Sequence, residues 1–478
     1  MNRHLQVTKL YRCFIIRYAA LPLQQMTSPS FKWVVLTTAL AFVVAQLDVS
    51  IVNIALPQVA SAYHAPISTL QWVIDAYTLA YAVLMLSAGN LSDLLDTKHI
   101  FQLGMILFGI ASAGCGLAPT ATVLIICRIL QGIGAATMIP SSLSLLNHAF
   151  AHQPKMRARA IGLWTAAGSA AMAAGPTIGG LLIEFINWRF IFFVNIPICI
   201  AGYLLSFKLK AGEKTHGKKF DIPGQLLWMT SITILISVII EGPKVGFGHF
   251  LIWGGLLFSV IVFILFLVVE RKSRHPMLPL HLFDSKQFNG LLALGAVLNW
   301  SYYGSVFILS LYLQNVLGYH SLKTGFAFLP LTVGFVISNL FSDKITNRYG
   351  LRKPILAGLI LFALGFGGLF IAGVNTPYWQ LFMPFLVISM GMGLAVPSMI
   401  NGILSSVDKK LSGTASAILN TSRQTAGAIG VAVFGAMAAG NSAMILNAIG
   451  KSATIAILFT ALAFLLIWRI KSLEKRHG

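Results

Sequence analysis

Long apolar runs follow one another along the chain, parted by short polar segments. A helix needs about 20 apolar residues to cross the hydrocarbon core of a bilayer. On that criterion the pattern predicts helices at roughly 31–57, 68–92, 99–118, 120–147, 158–183, 188–209, 223–243, 250–270, 288–316, 324–345, 353–373, 377–401, 413–438 and 450–470. Fourteen spans put both termini on the same side of the membrane.

Composition agrees with that reading. Apolar types make up 57% of the 478 residues and charged types 10%, against about 25% charged in a soluble domain. A chain this apolar faces lipid over most of its surface and is expected to be a multi-pass protein of the cell membrane. The net charge of +21 does not point to nucleic acid, because the Lys and Arg sit in short loops between apolar runs rather than on dense basic faces. With the N-terminus in the cytoplasm, 28 of the 34 Lys and Arg fall on the inner side and four on the outer side (Arg189, Lys244, Lys323 and Lys451). The other two, Arg128 and Arg423, lie inside predicted spans. That asymmetry orients the chain with both termini cytoplasmic.

Cys13, Cys115, Cys127 and Cys199 form no CxxC pair, so neither a disulfide framework nor a metal centre is expected. No GxxxxGK[ST] phosphate loop is present. No cofactor is called for, the chain does not read as an enzyme, and energy for transport has to come from an ion gradient or from the solute's own gradient.

Residues 1–30 read as a basic tail. Its apolar stretch, Leu10 to Leu23, is broken by Arg12 and Arg17 and lacks a small-residue cleavage site, so it is a poor signal peptide. Met26 is an alternative start. The remainder divides into a six-helix bundle at 31–209, two extra helices with basic flanking loops at 210–287, and a second six-helix bundle with a short basic tail at 288–478. The segments 89–98 and 343–352 are short polar loops at equivalent places in the two bundles. Two six-helix halves around a midplane site is the plan of one large class of transporters.

Three ionisable residues share one layer. Asp48 lies nine residues before Pro57, Asp75 eight after Ile67 and Arg128 eight after Thr120, which places all three roughly 12–14 Å from the outer ends of their helices. Each costs about 2.5–3.5 kcal/mol at a helix centre on insertion scales. The plainer reading pairs Arg128 with one aspartate and pins the bundle. That pairing leaves one carboxylate uncompensated, and a carboxyl without a partner in low dielectric holds a proton near neutral pH. Proton exchange is what a coupled carrier needs. Sequence alone does not say which aspartate pairs with Arg128.

Other candidates are weaker in isolation. The run from Gly168 to Gly180 is rich in small residues, and Gly175-Pro176 invites a kink. Arg423 is followed by Gln424 and Gly427; its plainer reading is a buried residue bonded to backbone carbonyls. Tyr77, Tyr81 and Tyr303 are candidates for lining a cavity that takes a flat organic cation. Trp72 and Tyr319, near span ends, read as part of an interfacial belt.

At these residues the chain resembles the major facilitator superfamily, specifically its fourteen-span drug:proton antiporters. The segment Leu47-Asp-Val-Ser-Ile-Val-Asn-Ile-Ala-Leu-Pro57 is similar to that group's first-helix signature, with Ser50 where Thr is usual. Arg128-Ile-Leu-Gln-Gly-Ile-Gly-Ala-Ala136, which includes Gly132, resembles its fourth-helix motif, whose arginine is implicated in proton coupling. Gly175, Pro176, Gly179 and Gly180 resemble its fifth-helix antiporter motif. The stretches 187–197, 220–224 and 413–430, the last around Arg423, also resemble this group. In the loop after the second span, Gly89, Leu91 and Asp93 match the family pattern, whereas Leu94, Asp96 and Thr97 replace a basic residue, a glycine and a second basic residue. An acid at Asp75 is similar to the quaternary-ammonium and biguanide exporters of the group.

The resemblance implies an all-α membrane protein that exports lipophilic organic cations, dyes and antiseptics among them, in exchange for protons. Asp48, Asp75 and Arg128 would serve coupling and cation binding. Gly89, Asp93, Gly132, Gly175, Pro176, Gly179 and Arg423 would serve conformational change. The partners expected are a drug-like small molecule, protons and the bilayer, with no nucleic acid, and a monomer is expected to suffice. The rivals are export of a neutral or anionic metabolite or antibiotic, and a membrane-embedded sensor.

Overall fold

The computed structural model describes residues 29–94, 96–150, 153–209, 221–273, 276–408, 411–470 and 473. Residues 1–28 of the basic tail, with Met26, lie outside them, as does most of the basic loop at 208–219. The described residues are helical, without strands.

The helices of the first half are α1 (Pro29–Tyr63), α2 (Ile67–Leu94), α3 (Thr97–Leu117), α4 (Ala121–Ala149), α5 (Pro154–Phe185) and α6 (Phe190–Ser206). A hairpin follows, α7 (Ile222–Val245) and α8 (Phe250–Lys272). The second half runs α9 (Lys286–Leu311, continued by a π-turn at Tyr312–Val316), α10 (Ser321–Ala327 and Leu329–Tyr349), α11 (Arg352–Gly368), α12 (Tyr378–Ser405), α13 (Ser412–Met437) and α14 (Ser442–Arg469). Among the described residues, ten helices are long and apolar enough to cross a membrane, and the bent α5 makes eleven. The apolar α6 is short. α13 is rich in Gly, Ala, Ser and Thr, small residues that lower hydropathy but let helices approach closely.

The packing repeats between halves. α1 lies on α5 as α9 lies on α13, α2 on α4 as α10 on α12, and α3 on α4 as α11 on α12. The halves meet through α2 against α13 and α5 against α10. The hairpin α7–α8 leans on α2 and α13 through α7, where Leu79, Val83, Ile232, Ile236, Ile240, Ala428 and Ala432 form a small buried cluster. Its outer face, with Leu226, Trp253, Leu257, Phe258 and Ile261, stays exposed and apolar, as a lipid-facing surface must be.

Two prolines shape the centre. α5 bends by 41° between Met172 and Ala174. The cause is Pro176, whose ring clashes with the carbonyl four residues back and which offers no N–H to it. In α1, Pro57 leaves the carbonyl of Asn53 without its helical donor in the same way. Ser310 on α9 supplies the missing bond, its Oγ donating to that carbonyl at 2.5 Å. Gln314 Nε2 donates to the Ile54 carbonyl at 3.2 Å, and Gln58 donates to Ser321 Oγ. Gln71 Nε2 donates to the carbonyls of Ala432 at 2.7 Å and Val431 at 3.3 Å. All these bonds join the halves toward the Tyr63 end of α1. There Gly180 also faces Ser321, so close that an added Cβ would sit 2.9 Å from its carbonyl oxygen.

A buried charge network beside an uncharged cavity

α1, α2, α3, α4 and α6 bring together the residues of the buried layer. Asp48 on α1 is fully buried, and Arg128 on α4 is 1% exposed. Arg128 Nη1 donates to Asp48 Oδ2 and, at 2.8 Å, to Gln131 Oε1, while its Nε donates to the Val73 carbonyl at 2.9 Å. The other carboxylate oxygen of Asp48 accepts from Asn195 Nδ2 at 2.9 Å and Gln131 Nε2 at 3.3 Å. Ser112 Oγ accepts from Gln131 at 2.7 Å and from Asn195 at 3.4 Å. The Arg128 guanidinium stands 4.4 Å from the centre of the Tyr77 ring. Gln131, Asn195 and the Val73 carbonyl compensate the ion pair, which is what keeps two charges tolerable in low dielectric. Gln131, Asn195 and Ser112 were not singled out in the sequence. Their signal was available: each is a polar residue inside an apolar run.

Asp75 is in the same layer but not in this network. Its side chain is fully buried, and neither carboxylate oxygen has a hydrogen-bond partner. It lies one turn from Gln71 and Leu79 on α2, positions that contact α13 and α7. Next to Gln71, Trp72 Nε1 donates to Glu241 Oε1 of α7 at 3.0 Å. That bond ties Trp72 to the hairpin.

The cavity between the halves is lined by Ser50, Asn53, Met172, Pro176, Tyr302, Tyr303, Phe328, Phe335 and neighbouring residues. A smaller one shares Asn53 and Tyr303 with it and adds Thr78, Gln424 and Gly427. Neither lining contains a formal charge. Of the three tyrosines, Tyr303 lines both; Tyr77 lies against Arg128, and Tyr81 is buried against Tyr77 with ring centres 6.1 Å apart.

The glycines mark close approaches. A Cβ on Gly132 would lie 2.5 Å from the Tyr77 carbonyl oxygen and 2.7 Å from the Ala80 Cβ, so only glycine lets α4 lie this close to α2. Gly175 and Gly179 do the same for α5 against Ser50 and Ile51 of α1, where a Cβ on Gly179 would meet Ile51 Cγ1 at 2.8 Å. Gly89 and Asp93 fall in the last turns of α2, and their side-chain surroundings lie outside the described residues. Arg423 is half-buried on α13, its Nε without a hydrogen-bond partner.

Residues 38–431 match the model of the Major Facilitator Superfamily. The chain belongs to that superfamily. The "Methylenomycin A resistance protein" of Bacillus subtilis (strain 168) is 34% identical over 421 residues, covering 86% of this chain and 89% of the relative. The protein of the same name from Streptomyces coelicolor is 31% identical over 447 residues, covering 92% and 93%. The "Multidrug resistance protein Stp" of Mycobacterium tuberculosis is 33% identical over 405 residues, covering 84% and 75%. Among solved structures, a bacterial homologue of the human lysosomal transporter Spinster, inward-facing and unoccupied, superposes with a TM-score of 0.63 over 95% of this chain and 100% of that one. At 15% identity that likeness speaks to the fold alone. The chain is a multi-pass protein of the cell membrane, and these relatives are named for antibiotic and multidrug resistance.

Proposed function

We propose that this protein exports drug-like small molecules in exchange for protons, with Asp75 as the proton carrier. The observation that carries the proposal is the contrast between the two aspartates. Asp48 has its charge matched by Arg128 and its oxygens filled by Gln131 and Asn195. Asp75 has neither, at equal burial. A dry, unpartnered carboxyl is tolerated in its neutral form, so it ionises when the protein opens and wets it. Its position where α2 meets α13 links that event to movement of the halves. The Asp48–Arg128 pair then serves as the fixed brace of the first half, and Gly132, Gly175, Pro176 and Gly179 lie at the surfaces that must slide or bend.

In this reading the chain crosses the membrane fourteen times with both termini cytoplasmic, as two six-helix halves and an inserted hairpin. α2, α6 and α13 join the eleven longer or more apolar spans. One half rocks against the other, and the bonds of Asn53, Ile54, Gln58 and Gln71 to α9, α10 and α13 are the outer seal that breaks. A single chain holds the whole cavity, in keeping with a monomer.

Two readings of the cargo differ in charge. Lipophilic cations are supported by Asp75 as an acid without a partner. The uncharged, aromatic lining and the internal neutralisation of Asp48 favour neutral or acidic amphipathic cargo, and we adopt that second reading. The test is flux of a neutral fluorescent drug in everted vesicles, with and without a protonophore. Flux that collapses on adding the protonophore supports the proposal, and flux indifferent to it rejects proton coupling.

A further inference from the structure

Arg423 is a guanidinium in the middle of α13 for which nothing so far accounts. It begins 11 residues from the Ser412 end of that helix, roughly 16 Å along it. A charge at such depth is expensive, and elsewhere in this protein the expense is met by compensation, as at Arg128. Arg423 has no ion pair and no hydrogen bond to a carboxylate among the described residues, and its Nε has no acceptor. The two acids of the buried layer are not available to it. Asp48 is committed to Arg128, and Asp75 is not among the groups that interact with Arg423.

Its surroundings instead connect it to the cavity. The Arg423 stem packs on α9, with Cγ 3.3 Å from where a Cβ on Gly295 would stand. One turn further on, Gly427 lies against the Tyr303 ring, with a Cβ position 3.0 Å from its Cδ2. Tyr303 lines both cavities, and Gln424 and Gly427 line the smaller. Tyr303 and Tyr81 are the titratable groups nearest the guanidinium. The cavity therefore has an apolar, aromatic body, and outside its lining, next to the tyrosine shared by both chambers, stands a cation whose Nε has no acceptor. An arginine presents five N–H donors in a planar fork suited to carboxylate geometry.

We infer that Arg423 is the cargo-recognition cation, taking a carboxylate or equivalent oxyanion of an amphipathic cargo whose apolar part lodges between Tyr302, Tyr303, Phe328 and Phe335. This rests on the proposed export function and adds the chemical class of the cargo. A half-buried cation in mid-helix whose Nε lacks an acceptor gains most from a ligand that brings one.

The experiment uses the full chain in proteoliposomes and two probes of one skeleton, pyrenebutyric acid and its uncharged methyl ester. The acid is expected to be bound and exported at least about tenfold better than the ester, the margin of one charge-assisted bond. In Arg423→Gln the acid-to-ester ratio is expected to fall about tenfold, and Arg423→Lys is expected to restore part of it. Equal handling of acid and ester by the unaltered protein overturns the inference without any variant. So does loss of both probes to the same extent in Arg423→Gln, which would mark a structural role. Proton-coupled export of the ester but not the acid leaves the export proposal standing and rejects this one, whereas export of neither rejects both.

Discussion

Arg128 is bonded to Asp48 and to the backbone of Val73, yet makes no bond to Asp75, two residues further along the same helix. The two aspartates of one membrane layer therefore differ in what holds them, and substitution separates them. Asp48→Asn strands the Arg128 charge in a dry site, and breaking a buried pair in this way costs about 3–5 kcal/mol. Asp75→Asn removes no bond and is expected to stay within about 1 kcal/mol of the parent. Thermal unfolding of the purified variants in detergent checks the contrast; equal destabilisation would show that the two acids share one network.

Ser310 completes the carbonyl that Pro57 leaves open at Asn53. Ser310→Ala removes one bond between halves at the Tyr63 end, about 1 kcal/mol, enough to move a two-state balance roughly fivefold. Spin-label distances across that end, between α1 and α10, are expected to shift toward longer values. An unchanged distribution would mean this bond does not hold the seal.

Gly132 permits the contact of α4 with α2 that places Tyr77 under Arg128. Gly132→Ala forces the helices apart and is expected to destabilise by about 1–3 kcal/mol. Gly162→Ala, at a position where an added Cβ meets nothing within 4 Å, is expected to be neutral or slightly stabilising. Comparing the two melting temperatures tests whether the closeness of α4 to α2, rather than glycine content, matters.

Much of this arrangement was legible in the sequence, and the gaps have a common origin. Counting residues along helices put Asp48, Asp75 and Arg128 at one depth, and depth is what rise per residue gives. Which residues face each other depends on rotation about the helix axis, and an apolar helix buried on several sides carries no polar stripe to set it. That is why the partner of Arg128 stayed open until the side chains of Gln131, Asn195 and Ser112 were seen converging on Asp48. The same limit explains Tyr77, a cavity candidate by type and spacing that instead lies against Arg128. The kink at Pro176 was readable because proline acts locally. The bond from Ser310 to Asn53 was not, because it joins residues 257 positions apart.

Asp96, one of the departures from the family's loop pattern, has a local reason. It caps α3, its side chain accepting from Lys98 N at 2.9 Å and meeting His99 Nδ1 at 2.8 Å. Slight burial raises its pKa, but the bond from the Lys98 amide and the contact with His99 outweigh this and hold it below the ordinary 3.8. A depressed carboxyl contributes stability above its unfolded value and loses it as pH falls through the folded one. Asp96→Ala is expected to cost about 0.5–1 kcal/mol at pH 7, with the difference shrinking as pH falls below about 4. Unfolding of both proteins between pH 3 and 7 checks the sign.

The central claim is that cargo and protons move in opposite directions through Asp75. It is tested most directly by loading proteoliposomes with a pH-sensitive dye, adding cargo on one side, and following the proton signal. The account predicts cargo-dependent proton movement in the unaltered protein and its loss in Asp75→Asn, which still binds cargo. Cargo flux without proton movement in the unaltered protein, or an undiminished proton signal in Asp75→Asn, would contradict it.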